Sequence, residues 1–265
     1  MTFYIRALVT LLAVLSISPP ASAALITLTG SNFDVQFDNS QASLGLFGTP
    51  SLANGNIVFS GNNFLAQSAN GEGINSNGAD ITLFLVPHSN VQLTGLSLYA
   101  FGDFRLQGSN SYVRVTGSVA ADDADSSDPS RGVVSALNLT SPASPNGEIH
   151  APLNNQNNNW QAYAGITNGA SPWLDTTTRM QVTINSVLAA YTDPNDPDPR
   201  PGFAFIQEKL FVQQPAFTLD VSSNPIVVPL PATLPLLCGG IAIVGWGGRR
   251  ARGDGRRPAG TRSIA

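Results

Sequence analysis

One cysteine, two histidines and a single lysine are all that these residue types contribute to a chain of 265 residues. The cysteine, Cys238, lies in an apolar stretch near the carboxyl end, so the body of the chain can hold neither a disulfide nor a cysteine metal site. Charged residues make up only 11% of the chain, and no segment keeps a helical period with good helix formers, which argues against a helical protein. No phosphate-cradling glycine loop or dinucleotide fingerprint appears. What is abundant is Asn, Gly, Ser and Thr, a composition of strands joined by many turns.

Period-two alternation fills the middle of the chain. Leu25-Ile26-Thr27-Leu28 and Phe33-Asp34-Val35-Gln36-Phe37 begin it, and Val91-Gln92-Leu93-Thr94, Leu96-Ser97-Leu98-Tyr99 and Tyr112-Val113-Arg114-Val115-Thr116 follow. Met180 to Ile184, Phe203 to Ile206, Phe211-Val212 and Phe217 to Val221 continue the pattern. Ile81-Thr82-Leu83-Phe84-Leu85-Val86 reads instead as a strand buried on both faces. Short strands divided by Gly, Asn and Pro predict an all-β, antiparallel β-sandwich or jelly-roll-like domain. Setting aside the two ends leaves residues 24–224, roughly 200 residues, a size that suits one such domain.

The two ends carry a different message. Arg6 is followed by an apolar run, Ala7 to Ile17, too short to cross a bilayer comfortably. Pro19 and Pro20 break it, and Ala21-Ser22-Ala23 is a small-x-small cleavage site, so residues 1–23 read as a secretory signal and the mature chain is expected to start at Ala24. At the other end, residues 225–265, Val227 to Gly248 holds no charge. At about 1.5 Å per residue a helix of that length reaches roughly 33 Å, the thickness of a hydrocarbon core. Its prolines crowd the start and leave residues 233–248 as the expected membrane helix. Arg249, Arg250 and Arg252 follow at once, opening a basic tail over 249–265 that acts as a stop signal on the cytoplasmic side. The body is acid-rich, with Asp122, Asp123, Asp125 and Asp128 among its charges, which repels nucleic acid and anionic lipid.

Val228-Pro229-Leu230-Pro231-Ala232, the short apolar span and the terminal arginines together resemble the PEP-CTERM class of sorting domains in its VPLPA variant. Gly253 to Ala265 runs on past the arginines further than is usual for that class. The resemblance implies an exosortase, a membrane-embedded cysteine protease-transpeptidase, that cuts near the motif, in Gram-negative bacteria that make exopolysaccharide. It also implies handling by signal peptidase, a transient hold in inner-membrane lipid with the body periplasmic, and a final place at the outer surface or in the extracellular matrix. Proline resists helix, so the motif is expected to stay extended at the membrane face, where a protease can grip its backbone. Val182-Thr183-Ile184-Asn185, Leu188-Ala189-Ala190 and Phe203-Ala204-Phe205-Ile206 resemble the ends of β-rich ectodomains that this class often carries.

Three loops and a few side chains are the candidates for chemistry. Asp123, Asp125, Ser127 and Asp128 have the alternating oxygen spacing that begins many calcium loops, although position 134 is Val133's neighbour Val134 where a loop of the EF type needs Glu. Asp193, Asp196 or Asp198, from a second acidic loop, are the expected remote partners of such a cage; a solvated acidic loop is the other reading. Trp160, Tyr163 and Trp173 lie near the amides of Asn154 to Asn159 and could stack a sugar, or could be core. Asn154 to Asn159 itself is expected to be an exposed loop leading into a strand. Glu72, Glu148 and Glu208 show no pairing that marks a glycosidase, and His88 and His150 lack a Gly-x-Ser-x-Gly elbow. The reading is therefore a non-enzymatic surface or matrix protein with no cofactor beyond a possible calcium ion, structural, adhesive or associated with exopolysaccharide. A calcium-dependent carbohydrate-binding module and a hydrolase are the alternatives.

Overall fold

The computed structural model describes residues 24–61, 64–126, 131–151, 157–167, 177–196, 202–208 and 217–225. The expected signal peptide, sorting motif, membrane helix and basic tail lie outside these residues, as does Phe211-Val212. Among the described residues no helix is long and apolar enough to cross a membrane.

The chain runs through β1 (Leu25–Thr29), β2 (Phe33–Asp38), a short helix α1 (Leu44–Phe47), β3 (Pro50–Ala53), β4 (Asn56–Phe59) and β5 (Leu65–Ala69). Long strands follow: β6 (Gly73–Pro87), β7 (Val91–Gln107) and β8 (Tyr112–Asp123). Then come β9 (Val133–Ala136), β10 (Asn138–Ser141), β11 (Ala143–Ser144), β12 (Glu148–His150), β13 (Asn157–Thr167), β14 (Met180–Thr192), β15 (Phe203–Glu208) and β16 (Phe217–Pro225). One sheet has the order β1-β2-β6-β14-β8-β12, with β9 also on β8. The other has the order β11-β10-β13-β7-β16-β4-β3, with β15 joining β7 to β5. Among the described residues every pairing is antiparallel, as in β6 with β14 and β7 with β13.

Alternation explains why the two sheets close on each other. Successive side chains point to opposite faces of a strand. In β14 that sends Met180, Val182, Ile184 and Leu188 inward, and in β7 it sends Leu96, Leu98, Phe104 and Leu106 inward; all are buried in one shared cluster with Val35, Phe59, Val115 and Leu219. The result is a β-sandwich whose core excludes water from both inner faces. The helix α1 adds Phe47, fully buried, with its ring 6.1 Å from that of Phe59 and 5.5 Å from that of Phe64.

Three sequence expectations need correction here. Residues 81–86 are not buried on both faces: Ile81, Leu83 and Leu85 are buried, while Thr82, Phe84 and Val86 are half-buried on the outer face. There the Arg179 guanidinium covers Phe84 at 4.0 Å, and the Gln41 side chain bonds Thr82 through both its amide atoms, at 2.8 and 3.0 Å, extending the ladder past the end of β2. Residues 91–99 are one strand rather than two, since β7 runs unbroken from Val91 to Gln107. It can do so because one of its edges is shared: β16 pairs along Val91 to Ala100 and β15 along Gly102 to Gln107. Lastly, β13 starts at Asn157, so the end of the asparagine tract is ladder and not loop.

Candidate functional site

Among the expected processing residues, Ala24 is described: it is exposed, its backbone N donates to Asn39 Oδ1 at 3.2 Å and its O accepts from Asn39 N at 3.1 Å. Ala21, Ala23, Val228, Pro229, Leu230, Pro231, Ala232, Arg249, Arg250 and Arg252 lie outside the described residues.

The acidic loop is built around Asp123, the last residue of β8. Strand parity with Val119 and Ala121 turns it inward, and it is 6% exposed. Arg131 Nη1 donates to its Oδ2 at 2.6 Å, while Thr177 Oγ1, at 3.0 Å, and the Asp125 amide, at 3.2 Å, donate to Oδ1. Burial pushes the Asp123 carboxyl up, but the Arg131, Thr177 and Asp125 bonds outweigh it and hold the group below the usual carboxylate range. Both oxygens thus already face donors, one of them a cation, and a calcium ion would have to displace Arg131. Asp125 Oδ2 accepts the Thr178 hydroxyl. Ser127 and Asp128 lie outside the described residues, among which no group of three or more His, Cys, Asp or Glu is set to hold a metal.

The described residues of the two acidic loops stand at opposite ends of β14. Asp123 pairs with Met180 at one end of β14, whereas Tyr112 pairs with Tyr191 at the other. Eleven steps of about 3.3 Å separate those ends by roughly 36 Å. At the far end, Asp196 accepts from the Ser109 and Asn110 amides, at 2.9 and 3.2 Å, and from the Ser109 hydroxyl. Asp193 accepts from Asn110 Nδ2 at 3.2 Å and from the Asn195 amide at 2.8 Å. These carboxylates hold the β7–β8 turn; Asp198 lies outside the described residues.

The aromatic candidates part company. Trp160 is fully buried, and its Nε1 donates to Gln207 O at 3.1 Å. The indole reaches across β7 at Gly102, where an added Cβ would fall 2.4 Å from Nε1, so the close approach requires glycine. Tyr163, three residues on, points to the outer face and is 37% exposed. Trp160 and Tyr163 therefore share no surface, and Trp173 lies outside the described residues.

The histidines have carboxylate partners: His88 Nε2 lies 2.9 Å from Asp34, and His150 Nε2 lies 3.0 Å from Glu148, which also faces Arg114 at 3.5 Å. Among the described residues, depressions open on the surface at two places. One, of about 450 Å³, lies between residues 41–46 and 78–80, and the other, of about 270 Å³, lies beside Arg105 and Phe203; neither is lined by two acids.

Sequence reasoning weighed Glu208 only as an acid without a glycosidase partner and did not place it in the core. It is 3% exposed, between the sheets, and its Oε1 accepts from Ser186 Oγ at 2.9 Å. Burial pushes its carboxyl well above the usual range, more than the Ser186 bond lowers it. The signal was present: continuing the alternation of Ala204 and Ile206 by one step turns residue 208 inward.

The described residues define an all-β, antiparallel two-sheet protein in which Ser186 meets Glu208, Ser68 meets Thr192 and Thr177 meets Asp123. No family model matches the chain, and no curated protein does. Among solved structures, a chain in the structure of infectious bursal disease virus, Gx strain, is similar at 12% identity and a TM-score of 0.23, over 74% of this chain and 48% of that one. This chain thus spans about half the length of that viral chain, and a likeness at that TM-score carries nothing over to it.

Proposed function

We propose that the protein is an exported, exosortase-processed component of the bacterial cell surface or extracellular matrix, with a non-catalytic β-sandwich in a structural, adhesive or exopolysaccharide-associated role. The observation that carries this reading is the order Val228-Pro229-Leu230-Pro231-Ala232, an uncharged span, then Arg249 and Arg250, at the end of a chain that opens with Arg6, an apolar run and Ala21-Ser22-Ala23. The boundaries of the strands support it. β1 opens at Leu25, one residue after the expected new amino terminus, and β16 ends at Pro225, three residues before the motif.

In this reading signal peptidase releases Ala24, lipid of the inner membrane holds residues 233–248, and an exosortase-like protease cuts near the motif and frees the sandwich outward. The mass of the mature protein from its native envelope tests it. Loss of both residues 1–23 and the arginine tail is expected; a product that keeps the arginines removes the proposal.

A further inference from the structure

Tyr163 does not stand off its sheet. A Cβ built on Gly165 would fall 2.3 Å from the Tyr163 oxygen and 2.9 Å from Cζ, so the phenol lies down along β13 over that glycine. Its hydroxyl lies 3.3 Å from Ser97 Oγ on the neighbouring strand. Tyr99, the direct cross-strand partner, flanks it with ring centroids 5.1 Å apart and planes inclined by 52°. One face of the Tyr163 ring is thus backed by the strand and the other looks outward.

Register gathers polar groups around that face. Asn138 of β10 pairs with Tyr163, and Asp220 of β16 pairs with Ser97. Asp220 is half-buried, and that burial pushes its carboxyl up. A carboxyl, an amide and two hydroxyls around a flat ring suit a ligand with an apolar C–H face and many hydroxyls. None of these side chains is basic, which disfavours a nucleic acid or an anionic polymer as the occupant.

We propose that this patch is a binding platform for a neutral polysaccharide, with a sugar ring stacked on Tyr163 and its hydroxyls taken by Asp220, Ser97 and Asn138. The proposal rests on the surface reading above for the presence of a polysaccharide, and it names which face of the sandwich would meet it. Gly165 acts as the seat of the platform: a methyl there lifts the phenol without removing it.

Native affinity electrophoresis of the purified full-length chain tests this, in gels cast with dextran, galactomannan or hydroxyethylcellulose, and with alginate as the anionic arm. Retention is expected in at least one neutral gel and not in alginate. Tyr163→Ala and Gly165→Ala should each weaken it at least tenfold, with circular dichroism unchanged, while Tyr112→Ala on the other sheet should not. If Tyr163→Ala fails to fold, Gly165→Ala and Asp220→Asn give the answer. No retention in any neutral gel, retention in alginate alone, or variants that bind as the wild type would overturn the proposal. Binding in a gel needs no export, so such a failure leaves the sorting account to its own mass measurement.

Discussion

Replacing Glu208 by glutamine should make the protein less sensitive to rising pH. Glu208 sits between the sheets at 3% exposure, and its polar contact across the core is the Ser186 hydroxyl at 2.9 Å. Burial raises its carboxyl well above the ordinary value, so the folded chain keeps a proton that the unfolded chain gives up near pH 4. Stability from this group is therefore full below the unfolded value and falls as pH climbs towards the folded one. The slope is that of one proton, tenfold in the folding equilibrium per pH unit, or on the order of 1 kcal/mol. Glutamine keeps an oxygen for Ser186 and cannot ionise, so the variant should lack this slope. Urea unfolding from pH 5 to pH 9, followed by tryptophan fluorescence, measures both curves. Taking the difference between the two proteins cancels other titrating groups, Asp123 included, which pairs at the end of β14 away from Ser186. Curves that stay parallel across that range would refute the reasoning and mean that Glu208 is ionised in the fold.

Trp160→Ala should cost about 3 to 5 kcal/mol, because it empties the largest fully buried side chain among the described residues and removes its bond to Gln207 O; a chemical denaturation midpoint reads it. Asp123→Asn should cost on the order of 1 to 3 kcal/mol at neutral pH by removing the charge that Arg131 meets. Its sign in pH is opposite to that of Glu208. The depressed Asp123 carboxyl contributes above its unfolded value and loses that contribution as pH falls, so the wild type and Asp123→Asn should converge in acid, as thermal melts at pH 7 and pH 3 would record.

The alternation of Tyr112 to Thr116 and of Met180 to Ile184 announced β8 and β14, because a half-buried strand must alternate whatever its partners are. Some stretches escaped notice through weak alternation, as at residues 73–80 at the start of β6, which are largely exposed, and at the opening of β13, which is asparagine, while β4 and β5 alternate but are only four and five residues long. Pattern also failed where an outer face is covered locally, as at Phe84, which reads as core until Arg179 is seen to lie over it. Of the candidate sites, an aromatic at 160 and another at 163 were legible, but their separation onto two faces needed the strand between them to be known.

Local chemistry alone, then, determined that this is an all-β chain with an acid-rich, cysteine-free body, and it marked the apolar and basic runs at the two ends; these are short-range properties of neighbouring residues. Tertiary structure decided what each polar group meets. Asp123 finds Thr177 and Asp196 finds Ser109 through pairings that join positions 54 and 87 residues apart, and the same register sets Tyr163 over Gly165 beside Ser97 and Asp220. Such contacts depend on which strands pair and in what register, a choice made by burying both inner faces at once, and no window of the sequence contains it.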